Sequence, residues 1–144
     1  LPVRRRFWEK AMRAVDPTGT RAELRNQLTN VFEAVRATAE KLALLDRIGS
    51  PEVVGDYLDI GNLQGRGIDP ALAIRERAGR ITQIHIKGVQ AAALDAATVD
   101  LAACAAALRD TNYNGWLVLE TRDTDDPLGG ARTNMASMRR AFGG

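Results

Sequence analysis

Three side chains of this 144-residue sequence, Asp59, His85 and Glu120, have the types and spacing to act together in one chemical site. His85 is the only histidine of the chain, and it stands in the stretch ITQIHIKG (81–88). There Gln83, His85 and Lys87 alternate with Thr82, Ile84 and Ile86. Alternation of period two puts the polar row on one face of a strand and the other row on the opposite face. A half-exposed strand with its polar row in water shows this pattern, and so does a strand whose polar row lines a pocket. Asp59 in VVGDYLDIGN (53–62) and Glu120 in WLVLET (116–121) also fall near the C-terminal ends of strand-like segments. If the three strands are parallel, those ends share one edge, and residues 26 and 35 positions apart in the chain meet there. One imidazole and two carboxylates are suitable ligands for a divalent ion of the Mn, Mg, Co or Zn kind. Such an ion polarises a carbonyl and eases removal of the proton beside it. Each residue also has a purely structural use. Asp59 caps a loop beside Gly61, Glu120 pairs with Arg122 or an arginine of the last helix, and His85 serves as a core histidine.

The elements that must position these groups repeat one plan. The strand-like segment 53–62 is followed by DPALAIRERAG (69–79), a helix with Asp69 as N-cap, Pro70 at the first helical position and Gly79 as its stop. ITQIHIKG is followed by DLAACAAALRD (100–110), a helix capped by Asp100. WLVLET, entered through the turn NYNG (112–115), is followed by a helix over about 127–142 with Met135, Met138 and Phe142 as apolar positions. The acidic run Asp123, Asp125, Asp126 reads as the capping region of that helix, with Pro127 in its first turn. Strand and helix alternating every ~30 residues make a βα series with parallel strands and right-handed crossovers. In such folds, sites are built beyond the C-terminal ends of the strands.

The first third differs. Leu24, Leu28, Val31, Val35, Thr38, Leu42 and Leu45 recur at spacings of four and three, which predicts an amphipathic helix over about 21–47. Residues 2–15 read as a shorter helix ended by the turn DPTG (16–19). The expected organisation is therefore a single domain, 1–144. Its first part, 1–48, is a helical N-terminal segment, and 49–144 carries the βα units.

Composition bounds the function. The 45% hydrophobic and 26% charged residues are the balance of a globular domain. A formal net charge of +2 gives no reason to expect nucleic acid or an anionic membrane as partner, and Arg4, Arg5 and Arg6 read as a solvated helix face. The lone cysteine, Cys104, excludes an intrachain disulfide and reads as a small packing residue in an alanine-rich run. No segment has the apolar length of a membrane span or a signal peptide, so a cytoplasmic location is expected.

The segments VGDYLDIGN, ITQIHIKG and NYNGWLVLETRDTDDP, in this order and with these gaps, resemble the C-terminal half of the xylose isomerase-like TIM-barrel superfamily of sugar-phosphate isomerases and epimerases. The resemblance runs from about Ile48 to the end. It implies an α/β fold, a partial (β/α)8 barrel with about three parallel strands and alternating helices, to which the periodicity of the first third adds the long N-terminal helix. It also implies a carbohydrate isomerase or epimerase acting on a small sugar or sugar phosphate with a bound divalent metal (Mn, Mg, Co or Zn). By motif, Asp59, His85 and Glu120 become the metal ligands and Glu120 also the catalytic base. Asn62 and Lys87, the latter in the family's H-x-K pattern, become substrate-binding residues.

Three departures accompany the match. Gly88 stands where the family has Asp after H-x-K, and QAAALDAATVD (90–100) replaces a glycine-containing loop over the pocket. The first glutamate ligand of the family has no counterpart before residue 48; QLTN (27–30) would offer only Thr29. An epimerase needs bases on both faces of its substrate, and the motifs supply one. A complete barrel needs about 250 residues. The open sheet of a shorter chain is expected to be covered by the N-terminal helix or by a second copy, a homo-oligomer formed through the exposed barrel edges. The alternative function is a non-catalytic βα module for binding or assembly. A DNA-repair endonuclease of the same superfamily needs a histidine-rich multi-metal site, which one histidine does not provide.

Overall fold

The computed structural model describes residues 18–50, 53–94, 98–122 and 125–143, with the backbone alone over 30–38. The expected helix at 2–15, the arginines at 4–6 and Asp123 lie outside the described residues.

Thr20 begins the described helical structure. Its hydroxyl accepts from the backbone N–H of Glu23 while the Glu23 carboxylate accepts from the N–H of Thr20, a reciprocal capping box that opens helix α1, Arg21–Ile48. Gly49, with φ +67°, closes it in the left-handed conformation that glycine adopts without steric cost. QLTN lies inside this helix, and the Thr29 hydroxyl bonds back to the carbonyl of Arg25, so no strand exists there to carry a ligand.

Three parallel strands follow in the order β1 (Asp56–Asp59), β2 (Ile81–Ile86) and β3 (Trp116–Leu119). β1 is shorter than the sequence indicates: Ile60–Gly65 forms a short helix, α2, so Gly61 and Asn62 belong to a helical turn rather than to the strand. The cause is local. The Asp59 side chain accepts from the Asn62 N–H, which caps α2 and ends the strand at Asp59. Helix α3 (Pro70–Glu76) has Asp69 as N-cap and Pro70 at its start. It ends at Arg77, and Gly79 follows with φ +79°. A 3₁₀ turn at Val89–Ala91 leads to α4 (Leu101–Asp110), capped by Asp100, and Asp126 caps the last helix, α5 (Pro127–Phe142).

Register sets what faces what. Leu58 lies opposite Ile84, which lies opposite Leu117; Asp59 lies opposite His85, which lies opposite Val118. The Leu58, Ile84, Ile86 side of the sheet is fully buried against Ile74 and Ala73 of α3 and Cys104 and Ala107 of α4. Alanines along α4 let α3 and α4 approach closely, because small side chains shorten the distance between packed helices. From α5, Met138 and Phe142 pack against this core, whereas Met135 is exposed and Asn134 and Ser137 are the buried positions. Asn134 is satisfied where it is buried: it accepts from the Leu94 N–H at 3.0 Å and donates to the Thr121 hydroxyl at 2.9 Å, tying two loops at the strand ends to α5.

The other face of the sheet is open among the described residues. Tyr57 is 45% and Trp116 77% exposed. The expectation that α1 packs across this face is corrected: none of its described side chains is buried, and Leu44 and Ile48 are exposed. Its C-terminal half is attached instead at the opposite, N-terminal edge of the strands. Lys41 pairs with Asp56, the first residue of β1, and Asp46 with Arg80, which precedes β2. Asp56 is 1% exposed and also pairs at 3.0 Å with the buried Arg77, so both charges leave water only because each finds a partner.

Candidate active site

The polar face of β2 is open at its start and crowded at its end. His85 projects beside Tyr57 of β1, whose ring meets the imidazole edge to face with centroids 4.3 Å apart. The Tyr57 hydroxyl and the Glu120 carboxylate both reach His85 Nδ1, the latter at 2.8 Å. The Gln83 amide lies 3.3 Å from Nε2. Both ring nitrogens are thus engaged, and the proton resides on whichever one donates. A carboxylate only accepts, so the Glu120 contact calls for the proton on Nδ1, and the Gln83 amide N–H can then donate to Nε2.

Glu120 is the residue just past β3, held in line because its N–H donates to the Ile86 carbonyl at 3.2 Å. Parallel pairing therefore continues one step beyond the strand and sets Glu120 beside Lys87. The Lys87 ammonium lies 2.7 Å from Glu120 Oε2 and 2.8 Å from Asp59 Oδ2. Asp59 is gripped from a third direction: Asn62 donates its backbone N–H to Oδ1 at 2.9 Å and its side-chain amide to Oδ2 at 2.7 Å. Gly61 makes this closeness achievable. A Cβ there would come within 2.5 Å of the Gly88 carbonyl and 2.7 Å of Lys87 Cγ.

These contacts set the ionisation of the cluster. Hydrogen bonds from Lys87 and then His85 hold the Glu120 carboxyl below its usual range. For Lys87, burial pulls the ammonium down, but hydrogen bonds to Asp59 and Glu120 and their charges outweigh it and leave the group above the ordinary lysine value. Burial, followed by the negative charges of Glu120 and Asp59, raises the Tyr57 phenol. At neutral pH Glu120 is therefore ionised, Lys87 carries its positive charge and Tyr57 is neutral.

All three residues named first from the sequence come together. One donor atom from each of Asp59, His85 and Glu120 lies within 4.8 Å of the others, at the C-terminal ends of three successive parallel strands. Oxygen, nitrogen and oxygen donors in one such cluster fit a divalent ion. Lys87 sits in the same cluster, and Asn62 is turned onto Asp59. Two further participants, Tyr57 and Gln83, had no motif to mark them. Tyr57 was detectable only as the residue two before Asp59, on the same face of β1, and Gln83 as the residue two before His85. A separate groove at the N-terminal edge, lined by Leu45, Asp46, Val54 and Arg80 among others, surrounds the Arg80–Asp46 pair rather than this cluster.

Parallel βα units whose strand ends gather an aspartate, a histidine and a glutamate are the build of a segment of a (β/α)8 barrel with its site at the C-terminal face. The family model of the xylose isomerase-like TIM barrel matches residues 5–141, and the chain belongs to that family. The match begins well before Ile48, where the recognisable motifs start. No curated protein and no solved structure shows significant similarity to the chain.

Proposed function

We propose that this chain is a divalent-metal-dependent isomerase or epimerase of a small sugar or sugar phosphate. The observation that carries the reading is the meeting of Asp59, His85 and Glu120 donor atoms within 4.8 Å at the C-terminal edge of the sheet. Membership of the xylose isomerase-like family supports the reaction class. Asp59, His85 and Glu120 would hold the ion, which when bound polarises a carbonyl and acidifies the neighbouring C–H.

The chain's own groups divide the remaining work. Glu120, ionised at neutral pH, accepts the proton of the carbon beside the carbonyl. The electron pair of the broken C–H bond forms the C=C bond of an enediolate, and the carbonyl oxygen takes the charge. Glu120 then returns the proton to the former carbonyl carbon while the hydroxyl proton of the neighbouring carbon passes to the charged oxygen, so that the neighbouring carbon becomes the new carbonyl. Its lowered pKa makes it a weaker base than a carboxylate tuned near neutrality, so release from Lys87 and His85 would raise its basicity. Asn62 holds the Asp59 carboxylate by both oxygens, and the edge-to-face contact with Tyr57 orients His85.

Calorimetric titration with Mn²⁺ tests the site, and NMR detection of solvent deuterium entering aldoses, ketoses and their phosphates tests the chemistry. The expected result is saturable Mn²⁺ binding lost in His85→Ala, with Mn²⁺-dependent exchange next to the carbonyl abolished in Glu120→Gln. Equal Mn²⁺ binding by the parent and His85→Ala chains, with no exchange in any sugar, refutes the reading. The open face around Tyr57 and Trp116 favours a second reading, a non-catalytic βα module that assembles with another surface. That reading predicts the refuting outcome.

A further inference from the structure

Lys87 occupies the place where positive charge is most wanted. Its side chain is 10% exposed, and its ammonium touches one oxygen of each carboxylate of the cluster, Asp59 Oδ2 and Glu120 Oε2. Those two carboxylates and one ammonium sum to a charge of −1, a site already largely neutralised without any ion. The second oxygen of Asp59 does not offer an easy alternative, since Oδ1 accepts the Asn62 N–H that caps α2. A divalent ion drawn to Asp59 Oδ2 and Glu120 Oε2 therefore meets the Lys87 ammonium on the same oxygens. Two cations at contact distance from the same two oxygens repel one another.

Given the metal-dependent reading above, on which this step rests, we infer that Lys87 is an internal cation that competes with the metal. It holds Asp59 and Glu120 together when no metal is bound and swings out of the cluster when one enters. The competition weakens metal binding and keeps the carboxylates from repelling one another in the empty site. It also leaves Lys87, once displaced, as an ammonium at the rim facing the substrate's oxygens.

Two measurements on the intact chain test this, neither of them activity. The first is the Mn²⁺ dissociation constant of the parent, Lys87→Met and Lys87→Arg chains by calorimetry, with circular dichroism to establish that each is folded. Removing the charge while keeping the apolar stem is expected to tighten Mn²⁺ binding by about tenfold or more, whereas arginine leaves it close to the parent value. The second needs no variant: the rate at which an amine-reactive ester labels Lys87, followed by mass spectrometry, is expected to rise several-fold on adding Mn²⁺. Equal Mn²⁺ affinity in all three chains, or a Lys87 labelling rate unchanged by saturating Mn²⁺, overturns the inference and leaves the metal site standing. Absence of His85-dependent Mn²⁺ binding in both the parent and Lys87→Met chains overturns the metal site itself and the inference with it.

Discussion

Among single residues, Cys104 and Lys87 illustrate opposite treatments of a buried titratable group. Lys87 is surrounded by carboxylates and stays charged. Cys104, 1% exposed on α4, faces apolar side chains, and burial first, then the charges of Asp69 and Asp100, pushes its thiol from 9.0 up to about 12. A group whose folded value is raised contributes stability that is fully present below its unfolded value and is lost as pH climbs towards the folded one. Stability is therefore expected to hold up to about pH 9 and then fall progressively towards pH 12 through this group. Urea unfolding midpoints across that range check it: Cys104→Ala should show a shallower decline than the parent. In native protein at pH 8 the thiol is also expected to resist a disulfide reagent that labels the unfolded chain at once.

At the level of elements, the decisive junction is β1 to α2. Asp59 is at once the last residue of the strand, the cap of the helix and a member of the site, so its carboxylate cannot be moved without disturbing all three. Gly61 lets this turn press against Lys87 and Gly88. Replacing it with alanine would drive a methyl group to within 2.5 Å of a backbone carbonyl, and backbone does not yield as a side-chain tip does. Gly61→Ala is expected to cost about 1–3 kcal/mol, the range for overpacking a close-packed site, and to weaken Mn²⁺ binding. Chemical denaturation together with titration of the same variant reads both effects. Retained stability with retained Mn²⁺ affinity would show that the close approach does not matter.

For the whole molecule, the open sheet dominates. β1 and β3 have no further strand beside them among the described residues, and Trp116 leaves most of its surface to solvent. Unpaired strand edges template association, and an exposed tryptophan adds apolar area to any contact made there. The chain is accordingly expected to sediment as a concentration-dependent monomer–oligomer mixture, with Trp116→Lys shifting it towards monomer. A single monomeric species at every concentration would mean that the edges are covered within the chain. No described helix is long and apolar enough to cross a membrane.

Local signals were legible in the sequence because short-range chemistry determines them. Asp69, Asp100 and Asp126 each cap the helix their position announces, Pro70 and Pro127 start theirs, and alternation in ITQIHIKG separates the buried Ile84 and Ile86 from the site face. Motif order was enough to single out Asp59, His85 and Glu120 before any coordinates. What lies between distant residues was not legible. The end of β1 at Asp59, the double pairing of Lys87, the hold of Asn62 on Asp59 and the attachment of α1 at the far edge of the strands depend on packing and register. Pairing His85 with Val118 and Asp59 brings together groups from three strands, and only the assembled sheet decides which charge ends up against which.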